Sequence, residues 1–276
     1  MIPSPLYPHE THDPRQPILE TRSLTVRYDG HLALEEISFH LHIGERVAVV
    51  GPNGAGKSTL FKVVAGVLAP GSGEVRVSGS GPGGHVCIAY LPQRSQVDWR
   101  FPVSVADVVM MGRIAKLGLF GFPGKHDWEL VFAALKTVGM EDLANRQIGE
   151  LSGGQQQRMF IARSLAQEAE LMLMDEPLTG LDTPAQEGLL SLLGELQQKK
   201  VTVMVATHDL DQARRYFDRI LLLNHQMIAF GPAADVLQPE KLLQAYGGKV
   251  RMVNGHPDLT ALDEPCCEGD AHDHSA

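Results

Sequence analysis

The chain has 276 residues, of which 43% are hydrophobic and 21% charged, so it can bury the core of one large domain. Its formal net charge of -9 at pH 7 argues against nucleic acid as the main partner, because binding along a phosphate backbone needs a basic face. The 3 cysteines form no disulfide framework, and neither a signal peptide nor a run of roughly 20 apolar residues is present. We therefore expect a cytosolic, soluble protein from a reducing compartment.

Strand patterns occur near both ends of the predicted core. The stretch "ISFHLHI", residues 37–43, alternates apolar and polar residues, which is typical of a half-solvated antiparallel strand. Unbroken apolar runs are typical of fully buried parallel strands. These runs are "VAVV" at 47–50, "LMLMD" at 171–175, "TVMVATH" at 202–208 and "RILLLN" at 219–224. Helical stretches lie between them, so the sequence predicts an α/β fold with a mainly parallel sheet flanked by helices.

Composition also divides the chain into segments. Residues 1–16 are polar and rich in proline, and we expect a flexible N-terminal segment there. The core domain should span 17–250, with an inserted helical subdomain at about 94–150, where no strand-like run occurs. Residues 251–276 contain many Cys, His and Asp residues and are expected to be a disordered tail.

A glycine-rich loop, "GPNGAGKST", directly follows an apolar strand and opens a helix. Its residues are Gly51, Pro52, Asn53, Gly54, Ala55, Gly56, Lys57, Ser58 and Thr59. Glycines let backbone N–H groups approach phosphates, Lys57 can reach the β- and γ-phosphates, and the Ser58 hydroxyl can bind Mg²⁺. The pattern predicts a nucleotide-binding loop, called the P-loop below.

The run "LMLMDEP" supplies the acids that such a loop requires. Asp175 can hold Mg²⁺ through water, and Glu176 beside it can orient or deprotonate the attacking water. Both acids end a buried strand, and so does the residue before the P-loop. Because open α/β folds bind ligands at the carboxyl edge of the sheet, we expect these groups to meet there.

A second anion-binding pattern occurs at "LSGGQ", which opens a predicted helix. Ser152, Gly153, Gly154 and Gln155 place a hydroxyl, two glycines and an amide at the helix N-terminus. A simple nucleotide-binding enzyme has no need of two phosphate-binding segments.

The two phosphate-binding segments, "LMLMDEP", "GLD" at 180–182 and "ATHD" at 206–209 have the order and spacing found in ATP-binding subunits of ABC transporters. The resemblance covers roughly residues 18–249, and "LSGGQ" is specific to that family. It implies a P-loop NTPase core with an N-terminal antiparallel β subdomain and an inserted α-helical subdomain. It also implies a head-to-tail homodimer, in which each ATP lies between the P-loop of one copy and the "LSGGQ" of the other.

The same resemblance gives roles to four further residues. Tyr28 stacks against adenine, a contact worth about 1–3 kcal/mol for a base on an aromatic ring. Gln93 senses Mg²⁺ and the attacking water and joins the core to the helical subdomain. His208 contacts the γ-phosphate, and Asp182 crosses the dimer interface.

The resemblance further implies an ATPase that powers transport through integral membrane permease subunits, from the cytoplasmic face of the cell membrane. The permease should dock just after Gln93, in residues 93–113, where Trp99, Phe101, Val105 and Met111 are either subdomain core or groove. This segment is similar to that of manganese, zinc and iron importer ATPases, the manganese type most closely. A full importer of this type includes an extracytoplasmic metal-binding protein.

Alternatives to a manganese importer remain at this point. The metal can be zinc or iron instead. A soluble ABC-type ATPase of translation or DNA repair is disfavoured by the single compact cassette without a heptad run, and a non-catalytic regulatory subunit by the complete set of catalytic residues.

The tail "CCEGDAHDHSA" contains potential zinc ligands. Cys266, Cys267, His272 and His274 offer thiolate and imidazole groups, which suit Zn²⁺ better than Mn²⁺. Their spacing is not that of a zinc finger, and an ordinary solvated tail also explains the composition.

Overall fold

The computed structural model describes residues 16–28, 30–81, 88–93, 98–117 and 121–247, together with two short strands at 251–253 and 256–258. Residues 1–15 of the predicted flexible segment lie outside the described residues. The same holds for 259–276, which include all four potential zinc ligands of the tail.

The described residues form eleven strands and nine α-helices. The strands are β1 (Leu19–Tyr28), β2 (His31–Leu41), β3 (Arg46–Val50), β4 (Ser72–Val77), β5 (Ile88–Leu91), β6 (Leu171–Asp175), β7 (Thr202–Ala206), β8 (Arg219–Asn224), β9 (Gln226–Gly231), β10 (Arg251–Val253) and β11 (His256–Asp258). The helices are α1 (Lys57–Val64), α2 (Val105–Met110), α3 (Ile114–Leu117), α4 (Lys125–Thr137), α5 (Gly153–Ala166), α6 (Thr183–Gln198), α7 (Leu210–Tyr216), α8 (Ala233–Val236) and α9 (Pro239–Tyr246).

A six-stranded sheet has the order β5-β6-β7-β3-β8-β9. The first five strands run parallel, and β9 returns antiparallel to β8. All four apolar runs predicted as buried strands are strands of this sheet, which confirms the predicted α/β class. The P-loop follows β3 in the middle of the sheet, between the neighbours β7 and β8.

Both faces of this sheet are buried, which explains the unbroken apolar runs. In β3, Val47 and Val49 belong to one hydrophobic cluster, with α1 and strands β1 and β2. Ala48 and Val50 point the other way, into a cluster that contains residues of α5 and α6. The side chains of each central strand therefore pack in two hydrophobic clusters, one on each face of the sheet.

A second sheet, with the order β2-β1-β4, is antiparallel. In β2 the side chains of Ile37, Phe39 and Leu41 are buried, while Ser38 and His40 are exposed, as the alternation predicts. The strand ends at Leu41, two residues before the predicted end at Ile43.

Helices α2, α4 and α5 pack on one another. Ser104 caps α2 by accepting from the Asp107 N–H at 3.2 Å, and the Asp107 carboxylate in turn accepts from the Ser104 N–H at 3.0 Å. Helix α5 begins after Glu150, where we predicted the helical subdomain to end, yet it packs against α2 and α4. In the part of the chain that the structure describes, no helix is long and apolar enough to cross a membrane.

Candidate active site

The P-loop is held so closely by its neighbours that two of its positions require glycine. A Cβ atom on Gly51 would lie 1.9 Å from the Leu223 carbonyl oxygen, and one on Gly56 would lie 2.5 Å from the Ala33 carbonyl oxygen. The His225 N–H also donates to the Ala55 carbonyl oxygen at 2.9 Å. The loop therefore lies between β2 and the turn that joins β8 to β9.

The first turn of α1 offers N–H groups to an anion. Its N-cap is Gly56, with a φ of +98°, so no side chain caps the helix, and the first turn contains no acidic residue. Uncapped N–H groups and the helix dipole both favour a bound anion. Ser58 in this turn is exposed.

Lys57 holds a buried positive charge next to this turn. Its ammonium donates to the carbonyl oxygens of Gly51 at 2.7 Å and Pro52 at 3.1 Å. Burial lowers the pKa of Lys57, while the charges of Glu176 and Asp175 act in the opposite direction. A phosphate group would compensate this partly desolvated cation.

Asp175 ends β6 and is only 7% exposed. The Tyr90 hydroxyl, on the neighbouring strand β5, hydrogen-bonds the Asp175 carboxylate. Burial raises the pKa of Tyr90 to about 12, assisted by the charge of Asp175 and this hydrogen bond. The Tyr90 hydroxyl therefore lies next to the Asp175 carboxylate.

Glu176 lies at the mouth of the site. Its N–H donates to the Ala206 carbonyl oxygen at 3.1 Å, and its carboxylate accepts from Gln93 Nε2 at 3.2 Å. His208 follows β7 and is exposed. Glu176 and His208 both line a cleft of about 160 Å³. The structure thus brings together the P-loop and most of the predicted catalytic groups.

The "LSGGQ" segment differs from the P-loop because its own side chains cap the helix that follows it. The Ser152 hydroxyl accepts from the Gln155 N–H at 3.4 Å, and the Gln155 side chain accepts from the Ser152 N–H at 2.9 Å. A Cβ atom on Gly154 would lie 3.0 Å from the Cβ of Ala185, so the start of α5 approaches the start of α6. Gly153 is the first residue of α5. Among the described residues, no hydrogen bond joins this segment to the P-loop.

Two other predicted residues lie at exposed chain turns. Asp182 caps α6 by accepting from the Ala185 N–H at 3.1 Å, and it is exposed. Tyr28 ends β1 with 40% of its surface exposed, so its ring is accessible to a ligand. At the tip of the P-loop, Asn53 and Gly54 are exposed.

The oxygen donors near the P-loop fit Mg²⁺. Asp175 offers a buried carboxylate and Ser58 an exposed hydroxyl, which are the ligand types that Mg²⁺ prefers. The described residues contain no group of three His, Cys, Asp or Glu side chains that could hold a metal alone. A magnesium ion here would need phosphate oxygens or water as further ligands, as is usual for this ion.

The predicted docking segment separates into core and surface. Val105 is fully buried, and the ring of Trp99 packs on that of Phe160 with centroids 5.9 Å apart. Phe101 is 58% and Met111 37% exposed. Of the four side chains named for this segment, Phe101 and Met111 are the exposed ones.

Sequence reasoning missed three side chains that support the site. Tyr90 lies three residues before Gln93, on a strand, and its position could have drawn attention to it. Gln186 and Gln212 line the cleft beside His208. No local pattern distinguishes them from other glutamines on helices.

Comparison with known proteins adds to this geometry. The model of the family described as "ABC transporter" matches residues 34–179. The manganese transport system ATP-binding protein MntB of Halalkalibacterium halodurans is 49% identical over 239 residues, covering 85% of this chain and 94% of the relative. The zinc transport system ATP-binding protein TroB of Treponema pallidum is 43% identical over 233 residues, covering 84% of this chain and 88% of the relative.

A solved structure extends the likeness to the whole fold. A chain of a metal-chelate type ABC transporter in an inward-facing conformation superposes with a TM-score of 0.77 at 31% identity. The match covers 90% of this chain and 100% of that chain.

Proposed function

This chain belongs to the family of ABC transporter ATP-binding proteins, and from that premise we propose that it is the ATP-hydrolysing subunit of a manganese importer. One observation supports the catalytic part above all others. The Gln93 side chain hydrogen-bonds Glu176, whose charge reaches the buried ammonium of Lys57 in the P-loop. Groups for phosphate binding and for water activation therefore share one site.

ATP binding uses the P-loop and its surroundings. The first-turn N–H groups of α1 and the Lys57 ammonium bind the β- and γ-phosphates, and the exposed ring of Tyr28 stacks on adenine. Ser58, Asp175 and Gln93 would hold Mg²⁺, which neutralises phosphate charge when bound. Tyr90 keeps the Asp175 carboxylate oriented.

Hydrolysis needs a water aligned with the γ-phosphorus. Glu176 accepts the proton of this water as the oxygen attacks, and the bond between the γ-phosphorus and the bridging oxygen of ADP breaks. Gln93 fixes the position of the Glu176 carboxylate by its hydrogen bond. His208, at the edge of the same cleft, contacts the γ-phosphate. The products are ADP and inorganic phosphate.

The second phosphate-binding segment serves a second copy of the chain. The exposed N-terminus of α5, with Ser152 and Gly153, binds the γ-phosphate of the ATP in the P-loop of the partner copy. Asp182, exposed beside it, crosses the interface. ATP then joins two copies, and its hydrolysis weakens the contact.

The names of the relatives support the assignment of the cargo, and the membrane partners are those that the resemblance to ABC transporters implies. The Halalkalibacterium relative is named for manganese and the Treponema relative for zinc, and the first is more similar to this chain. We assign manganese first, with zinc or iron as the alternative. The subunit binds permease subunits at the cytoplasmic face of the membrane through the segment that contains Phe101 and Met111, and an extracytoplasmic metal-binding protein delivers the ion.

Metal uptake by the reconstituted complex in vesicles tests the proposal. ATP-dependent accumulation of Mn²⁺ should exceed that of Zn²⁺ and Fe²⁺ when the three ions compete at equal concentration. The Lys57→Ala complex should accumulate none, because it lacks the cation that binds the phosphates. If Zn²⁺ or Fe²⁺ accumulates more than Mn²⁺, the manganese assignment is wrong and the preferred ion takes its place. ATP hydrolysis without any metal transport would refute the importer function.

A further inference from the structure

Two chain segments border the cleft beside His208, and each leads into a different helix. One segment, 178–182, precedes α6, and the other, 207–209, precedes α7. Nothing in the catalytic scheme above explains how a change at His208 would reach the 178–182 segment. The side chains of Gln186 on α6 and Gln212 on α7 lie between them.

The orientation of the Gln186 amide is fixed by its surroundings. Its Nε2 donates to the carbonyl oxygens of Leu178 at 3.3 Å and Leu181 at 3.1 Å. Because a carbonyl oxygen can only accept, the NH₂ group must face the 178–182 segment. The oxygen of the same amide therefore points away from this segment, and it accepts from Gln212 Nε2 at 2.9 Å.

Gln212 is in turn tied to the residues around His208. Its N–H donates to Asp209 Oδ1 at 2.8 Å, and the Asp209 N–H donates to Thr207 Oγ1 at 3.1 Å. The Thr207 N–H donates to the Val49 carbonyl oxygen at 3.1 Å, which anchors the turn to the strand before the P-loop. A continuous line of hydrogen bonds thus runs from β3 past His208 to the 178–182 segment.

We propose that Gln186 and Gln212 are positioning residues that transmit γ-phosphate contact at His208 to the 178–182 segment. The inference rests on the proposed function, in which Asp182 at the end of this segment crosses to the partner copy. Gln186 and Gln212 then couple the state of one ATP site to the interface that completes the other. Neither glutamine touches the reacting atoms, and both act through the backbone that they hold.

Hydrogen–deuterium exchange in the Glu176→Gln background, with and without ATP, measures this coupling directly. In the parent, ATP should protect amides of the P-loop, of 207–212 and of 178–182. Gln212→Met keeps the length of the side chain but removes its donor. Protection of 178–182 should then fall by about threefold or more, as expected for loss of one hydrogen bond, while protection of the P-loop persists.

Further variants separate the coupling from a merely structural effect. Gln212→Glu keeps the side-chain size and places an acceptor against the Gln186 oxygen, so it should act like Gln212→Met. The double variant Gln186→Met/Gln212→Met should lose no more protection than Gln186→Met alone, because both changes interrupt the same link. Gln198→Met, a change at an exposed glutamine of α6, should leave all three segments as in the parent.

The outcomes distinguish the two proposals. Unchanged protection of 178–182 in both Gln212 variants, with normal melting temperatures, would overturn the inference and leave the proposed function intact. Absence of ATP protection at the P-loop of the parent would overturn the proposed function and the inference with it.

Discussion

At the scale of single residues, Glu176 combines an unusual backbone with a well-supported side chain. Its φ is +50°, a left-handed conformation that residues other than glycine rarely adopt. The hydrogen bond from its N–H to Ala206 maintains this conformation, and Gln93 holds the carboxylate. Strained backbone of this kind persists where the surrounding structure requires it and clusters at functional sites.

We expect Glu176→Gln to lose at least about 10²-fold in ATP turnover, because the amide cannot accept the proton of the attacking water. ATP binding should persist, since the P-loop is unchanged, and an ATP-closed dimer should accumulate. Steady-state phosphate release and gel filtration with ATP measure the two effects. Glu195→Gln, on the exposed face of α6, is the matched control and should hydrolyse ATP normally. Near-normal turnover of Glu176→Gln would refute the assigned role.

How much of the site the sequence predicts depends on whether a residue acts within a local motif. Asp175 ends an apolar run and Glu176 follows it, while Lys57 lies in the glycine-rich loop after another such run, and the charges of both acids act on the Lys57 ammonium. Tyr90, Gln186 and Gln212 owe their positions to packing between distant segments. Their partners are 85, 26 and 26 residues away, since Tyr90 meets Asp175 and the two glutamines meet each other. Tyr90 at least lies close to Gln93 in the sequence, but local sequence does not indicate which residue any of the three contacts.

At the scale of elements, a buried group of charges ties together three helices. Arg113, immediately before α3, donates to Asp127 at 3.0 Å and to Glu168 at 2.7 Å, and the Lys116 ammonium in α3 also contacts Glu168. Asp127 lies in the first turn of α4, and Glu168 follows α5. Arg113 is 5% exposed, so its charge depends on these carboxylates for compensation.

We expect Arg113→Met to lower the free energy of unfolding by about 3 kcal/mol, because two carboxylates would lose their buried partner. Urea unfolding followed by circular dichroism measures the change. Arg146→Met removes the ion pair with Glu150, in which both side chains are largely exposed, and should cost less than about 1 kcal/mol. Equal losses in the two variants would contradict a special role of the buried group.

The same group of charges makes the free energy of unfolding depend on pH in the acid range. The direction of this dependence follows from the pKa values of Asp127 and Glu168. A backbone hydrogen bond from Gly124 and the charge of Arg113 lower the pKa of Asp127. Burial opposes ionisation of Glu168, but hydrogen bonds from Lys116 and Arg113 outweigh it, and its pKa is lowered too. Their contribution is therefore complete above the ordinary carboxyl pKa and is lost as the pH falls through the lowered values. In the Arg113→Met variant, the free energy of unfolding should therefore depend less on pH in this range.

The elements also show where pattern reasoning fails. The four apolar runs predicted as strands are strands, because burial on both faces leaves an unmistakable pattern. The family resemblance implied the N-terminal antiparallel β subdomain, but no residue pattern predicted its strand β1. The pairing of β1 with β2 shifts register between Thr21 and Leu24, which breaks the alternation. In β9 most side chains are only partly buried, since the strand lies at the sheet edge.

At the scale of the whole molecule, no hydrogen bond among the described residues joins the P-loop to the "LSGGQ" segment of the same chain. The start of α5 carries Ser152 and packs near the start of α6, where Asp182 is exposed. In the proposed head-to-tail dimer, both would lie beside the P-loop of the other copy. Each composite site would then contain Lys57 from one chain and Ser152 from the other.

A mixed dimer tests this arrangement. We pair a Lys57→Ala chain with a Ser152→Arg chain, so that one composite site has both motifs damaged and the other has both intact. ATP-dependent closure, measured by co-elution of two differently tagged chains, should be absent in each variant alone and restored in the mixture. Failure to restore any closure would contradict the shared site.

Strand β5 has a mechanical consequence for such a machine. It is four residues long and lies at the edge of the sheet, so its hydrogen-bond ladder has one neighbour, β6. Glu176 follows β6, which is paired on both sides. The Gln93–Glu176 hydrogen bond thus joins the residues that follow an edge strand to the end of a strand paired on both sides. A displacement of the chain at Gln93 would therefore act on a strand held by one hydrogen-bond ladder, and the contact with Glu176 would pass it to the end of a strand held by two.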